Sequence, residues 1–147
     1  MDLGADPAIW ETSHVGGHRF AGNLVALPFG RYFGRVDRDN AGSVMAAVRD
    51  GVIPLAHFRG RSGWPQPAQA AEVFVRRALG DDAIAGWRLV ELRRTGDATW
   101  RSVLDTPGGA FVATVAHAEL PGQTYEGCFK DAPVGRHEYR EVSVEPA

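Results

Sequence analysis

The chain has 147 residues, of which 44% are hydrophobic and 23% charged, a composition typical of one globular domain with a usable core. Its net charge of −2 argues against a nucleic-acid partner, and no apolar run is long enough to cross a membrane. The acidic start "MDLGADP" lacks the apolar core of a signal peptide and Cys128 is the single cysteine, so we expect a cytoplasmic protein without an intrachain disulfide.

The first elements surround a pair of histidines. The stretch "AIWETSH", residues 8–14, predicts a short strand that ends at a histidine turn. Two apolar runs on either side of the Pro28–Gly30 turn predict a hairpin from Asn23 to Val36.

Two helices are predicted next, near 41–50 and 66–79. Gly51 and Gly80 stand where these helices end. The apolar residues that share a face at helical spacing are Val44, Ala47 and Val48 in the first helix and Ala70, Val73, Phe74 and Ala78 in the second.

After Gly80 the sequence pattern becomes that of β-strands. Four alternating segments, "WRLVELRRTG", "TWRSVLDT", "AFVATVAHAEL" and "EYREVSVEP", are separated by Gly, Pro and Asp turns. The fold class predicted is therefore α+β, with a β-rich antiparallel section at 81–147 packed on a first part at 1–80. The join near 80–85 is either a linker or part of one continuous sheet.

His14 and His18 are four residues apart, with Gly16 and Gly17 between them. On a helix such a pair shares one face about 6 Å apart, which suits two imidazoles on one metal ion. Two ligands are too few for a zinc site, and Val15 stands where a zinc-protease motif needs glutamate. Taken alone, two histidines at this spacing are more often ordinary polar turn residues than metal ligands.

Two other stretches carry candidate chemistry. In "HFRGRSGWPQP", Arg59 and Arg61 precede a helix start that Ser62 is placed to cap, which makes either an anion site or arginines that pair with carboxylates elsewhere. Cys128 with His117 or His137 is a possible nucleophilic pair, although a lone cysteine in a β-rich region is more often inert.

The stretch "WETSHVGGHRFAGNLVALPFGRYFGRV", followed by "FRGRSGWPQPAQAAE", resembles the sucrase/ferredoxin-like family of thioredoxin-like [2Fe-2S] ferredoxins. The resemblance covers about residues 8 to 80, and the β-rich tail more weakly. It implies that 1–80 is a partial thioredoxin-like fold of strand, histidine turn, hairpin and two helices.

The resemblance also implies a cofactor. In this family an H-x-x-x-H pair is understood to ligate one iron of a [2Fe-2S] cluster while two cysteines ligate the other, and the histidine role maps onto His14 and His18. Neutral imidazoles make such a cluster easier to reduce and couple its potential to pH. The implied protein is an electron carrier with a redox partner protein rather than an enzyme.

The chain departs from the family pattern at the cysteines. The family's cysteine ligands lie upstream of the histidine motif, and no cysteine precedes His14 here. Cys128 alone cannot complete a set of four ligands. We therefore expect a C-terminal portion of a family member that needs a Cys-bearing segment from elsewhere, holds no stable cluster by itself, and exposes Trp10, Leu24 or Val25 at an uncovered sheet face. The alternative is a cluster-free remnant or interaction module with a vestigial histidine pair.

Overall fold

The computed structural model describes residues 8–13, 15–124 and 133–147, with the backbone alone for His18 and Thr124. The elements in this part of the chain follow in the order 3₁₀ turn His18–Phe20, β1 (Leu24–Ala26), β2 (Arg31–Phe33), α1 (Ala41–Arg49), β3 (Phe58–Arg61), α2 (Gln66–Leu79), β4 (Arg88–Gly96), β5 (Thr99–Thr106), β6 (Gly109–Thr124) and β7 (Val134–Pro146). Both sheets are antiparallel, which confirms the α+β class with a β-rich C-terminal part.

The first sheet has the strand order β1-β2-β3. The predicted hairpin is confirmed, with Leu24 opposite Phe33 across β1 and β2. Phe33 is fully buried at the centre of a core that includes Val44 and Ile53. The apolar runs thus form a hairpin because one of its faces is covered.

The strand predicted at 8–14 is wrong for the described residues 8–13, which form no regular structure. Ile9 is 74% and Trp10 88% exposed, so the apolar positions of this segment have no core to cover. A short apolar segment forms a strand only where it can pair with another strand and bury one face. Of the three side chains expected to be exposed, Trp10 is exposed, whereas Leu24 and Val25 are half-buried.

Both predicted helices are confirmed. In α1, Val44 is buried and the chain turns at Gly51. In α2, Gly80 takes the left-handed conformation that ends the helix.

The face predicted to be buried in α2 is partly wrong. Ala78 is exposed and the other three predicted residues are half-buried. The side chains that are buried are Pro67, Ala68, Ala71, Glu72, Val75 and Arg76. Glu72 and Arg76 displace the apolar stripe because Glu72 accepts hydrogen bonds from both Arg76 and Arg61 inside the protein.

The second sheet is a meander of order β4-β5-β6-β7, as the alternating segments predict. It is separate from the first sheet, and α2 contacts β3 on one side and β5, β6 and β7 on the other. Its core includes Val75 of α2, Trp87, Leu104 and Val115. Helix α2 is therefore the element that packs against both sheets.

In the part of the chain that the structure describes, no helix has the length and apolarity needed to cross a membrane.

Candidate functional site

The segment that follows His14, residues 15–23, is here called the histidine loop. Its backbone is bonded to the end of the first hairpin: Arg35 N donates to Phe20 O at 2.7 Å, and Val36 N donates to Gly22 O at 3.0 Å. His14 and the imidazole of His18 lie outside the described part of the chain. Residues 15–23 are nevertheless attached to the end of the first hairpin.

Side-chain hydrogen bonds of Asn23 and Arg59 also hold the histidine loop. Asn23 Nδ2 donates to the carbonyl oxygens of Gly16 and Gly17 at 3.2 and 3.3 Å. Arg59 Nη1 donates to Asn23 Oδ1, so β3 is linked to the backbone between the two histidines. Arg59 thus bonds to an amide side chain and fixes this loop.

The two glycines of the loop have different surroundings. Gly16 and Gly17 have φ angles of +74° and +71°, which side chains rarely adopt. A Cβ atom at position 17 would overlap the Arg59 guanidinium, while one at position 16 would meet no atom within 4 Å. That guanidinium lies over the Phe20 ring at 4.3 Å, and burial lowers the pKa of Arg59.

Arg61 has a different role from Arg59. It forms a two-point ion pair with Glu72 of α2, with Nε donating to Oε2 at 2.8 Å. Glu72 Oε1 also accepts from Arg76 Nη2 at 2.9 Å, and both partners of that pair are fully buried. The expectation that an arginine here pairs with a carboxylate is confirmed for Arg61.

The charge inside this network is not balanced. Arg31 lies beside it, and burial together with the positive charge of Arg61 lowers the pKa of Arg31 to about 10. Backbone carbonyls accept the remaining donors: Arg31 Nη2 bonds to Ile84 O and Arg76 Nη1 to Ala83 O, each at 2.8 Å. The sequence signal for this network was the Glu72–Arg76 spacing of four, which is usually found on helix surfaces.

Ser62 does not cap α2 as the sequence suggested. The helix begins after Pro65 without a side-chain cap, and Ser62 is an exposed turn residue. Arg59 and Arg61 are bonded to Asn23 and Glu72 and are not grouped at the helix terminus.

The other three histidines contact a backbone carbonyl or each other. His57 Nδ1 lies 3.2 Å from Gly34 O. The rings of His117 and His137 stack across β6 and β7 with centroids 4.7 Å apart. Cys128, the candidate nucleophile that would pair with one of them, lies outside the described residues.

A cleft of about 940 Å³ lies between the histidine loop, α2 and the β6–β7 pair. Residues far apart in the sequence line it, from Arg19 to Tyr139. Sequence reasoning missed this cleft because no local pattern links those positions. Its arginines are described below.

The described side chains do not form a metal site by themselves. Among residues 8–13, 15–124 and 133–147, leaving aside the side chains of His18 and Thr124, no three His, Cys, Asp or Glu residues form a group that could hold a metal ion. Two imidazoles from His14 and His18 are half of the four ligands that a [2Fe-2S] cluster takes. By this count, His14 and His18 cannot hold such a cluster by themselves.

Comparison with known families gives a match at the N-terminal part of the chain. The sucrase/ferredoxin-like family model matches residues 2–60, a range that contains His14, His18, Asn23 and Arg59. No curated protein and no solved structure gives a significant match. The resemblance that begins at the histidine motif is thus confirmed over residues 2–60, which match the sucrase/ferredoxin-like family model.

Proposed function

We propose that this chain is an electron-transfer protein in which His14 and His18 ligate one iron of a [2Fe-2S] cluster. Two cysteine thiolates from an upstream segment or a partner chain ligate the other iron. The family match over residues 2–60, which includes both histidines, is the observation that carries the proposal. When bound, the cluster supplies single-electron oxidation and reduction.

The residues around the motif support this role in two ways. Gly16 and Gly17 have no side chains, so their backbone can approach a bulky group closely. Asn23 and Arg59 hold that backbone in one conformation. A site whose loop is already ordered loses less entropy when it binds its group.

The charge of the surroundings favours the reduced state. Imidazole ligands are neutral, whereas an all-cysteine site has negatively charged thiolates. Arg19 in the loop and Arg59 beside it also add positive charge. Both effects stabilise the state that carries the extra electron. The alternative function, a cluster-free interaction module, assigns no role to this arrangement.

The test is to join the chain to a family-type N-terminal segment that carries two cysteines and to reconstitute the product anaerobically. We expect about two iron and two sulfide per chain and a potential above roughly −400 mV, the value of all-cysteine plant-type clusters. His14→Cys and His18→Cys should each lower that potential, because a thiolate adds negative charge.

The matched control is Thr95→Cys, which introduces the same thiol at an exposed position of β4 outside the cleft beside the motif and should leave the potential unchanged. Cluster content and potential that do not respond to either motif histidine would contradict the ligand assignment. Stoichiometric iron and sulfide on the chain without the added segment would contradict the need for outside cysteines.

A further inference from the structure

The cleft beside the histidine loop has three walls of different origin. The loop contributes Arg19 and Phe20, the segment after β2 contributes Arg35, α2 contributes Arg77, and β7 contributes Arg136. Its volume of about 940 Å³ lies in the range of pockets for small organic ligands.

The charge of the lining is strongly positive. Six arginines line the cleft, namely Arg19, Arg35, Arg59, Arg61, Arg77 and Arg136. Among the described residues the single carboxylate in the lining is Glu138, and its Oε1 accepts a bond from Arg140 Nε at 2.7 Å. Since the whole chain has a net charge of −2, the arginines are concentrated here and do not reflect a generally basic protein. A concave site strengthens their field.

The backbone conformation of Arg35 also points to a binding site. Its φ angle is +58°, and it is the one described residue other than glycine with a positive φ. Glycine or asparagine is more stable in that conformation. A strained residue that places a guanidinium at a charged cleft is typical of a binding site, where side-chain function offsets the strain.

Flat aromatic faces complete the lining. His117 and His137 stack on each other, and the Tyr139 ring lies 5.3 Å from that of His117. Planar rings at this wall suit an organic ligand, while guanidinium groups bind phosphate and carboxylate groups in a two-point geometry. We propose that this cleft binds a small organic molecule with two or more anionic groups, held by Arg35, Arg77 and Arg136. The proposal does not depend on the [2Fe-2S] cluster.

The test uses isothermal titration calorimetry of the chain with ATP, which carries phosphates, and with citrate, which carries carboxylates. We expect at least one of them to bind, more weakly as salt is raised. Arg77→Gln and Arg136→Gln should each weaken that binding about tenfold, the usual effect of losing a bond to a charged group. Both side chains are exposed, so the fold should be retained. Arg93→Gln, an exposed arginine on β4 outside the cleft, is the matched control and should bind as the unmodified chain does.

Arg35→Gly tests whether binding can be lost without a loss of stability. It should weaken binding while the melting temperature stays equal or rises, because glycine tolerates the backbone conformation. Equal binding by all cleft variants, or no binding of either probe, would overturn the proposal. Binding of a ten-residue glutamate peptide without binding of ATP or citrate would also overturn it, in favour of an acidic protein partner.

Discussion

The buried carboxylate of Glu72 shows how one residue organises the centre of the molecule. It is fully buried on α2 and accepts bonds from Arg61 of β3 and Arg76 of α2. The guanidinium groups also lie over indole rings, Arg61 over Trp64 and Arg76 over Trp87, each 4.0 Å from the ring centroid. The network thus connects the first sheet, α2 and the second core through charge and aromatic contacts.

We predict that Glu72→Gln lowers the free energy of unfolding by about 3–5 kcal/mol, since it leaves buried guanidinium charges without their counter-charge. Glu91→Gln is the control, because Glu91 is an exposed strand residue 3.5 Å from Arg101 and its loss should cost less than about 1 kcal/mol. Urea unfolding at neutral pH measures both. Equal stabilities of the two variants would show that the buried pairs contribute no more than a surface pair.

At the scale of elements, the histidine loop depends on a side chain from a distant strand. Arg59 of β3 reaches Asn23, and Asn23 bonds to the backbone at Gly16 and Gly17. The conformation of the loop therefore depends on β3 as well as on its own 3₁₀ turn and its backbone bonds to Arg35 and Val36.

Gly16→Ala and Gly17→Ala test this dependence as a matched pair. Both should lose about 1–2 kcal/mol of stability from the positive φ. Only Gly17→Ala also displaces the Arg59 guanidinium, so it should lose about 1 kcal/mol more and accelerate hydrogen exchange across 15–22.

A double-mutant cycle provides the control for that pair. In an Arg59→Ala background the additional cost of Gly17→Ala should disappear, because the atoms that it displaces are gone. An unchanged difference between the two alanine variants in that background would contradict the role given to Arg59.

At the scale of the whole molecule, α2 belongs to both cores. Val75 packs with Leu104 and Val115 of the second sheet, whereas Val73 packs against the core around Phe33. An element shared by two cores couples their unfolding, because neither core keeps its burial when the helix leaves.

We therefore predict one cooperative unfolding transition for the chain. Far-UV circular dichroism and tryptophan fluorescence should give the same midpoint, and Val75→Ala should lower it for both by the equivalent of roughly 1–3 kcal/mol. Two separate transitions would instead favour independent units at 1–80 and 81–147.

The sequence by itself predicted the elements with strong local patterns. Alternation and turn residues located the hairpin and β4 to β7, and helical spacing with terminal glycines located α1 and α2. The histidine motif and its continuation identified the family that matches residues 2–60. These features are local because each depends on residues a few positions apart.

The tertiary structure decided what depends on distant residues. The segment 8–13 has an apolar start but no core to cover it, and the buried side of α2 follows the ion pairs of Glu72 and not its apolar stripe. The link from Arg59 to the histidine loop spans 36 positions, and the cleft joins Arg19 to Arg136. Periodicity carries no information about such pairs, since they meet only after the sheets and α2 have packed together.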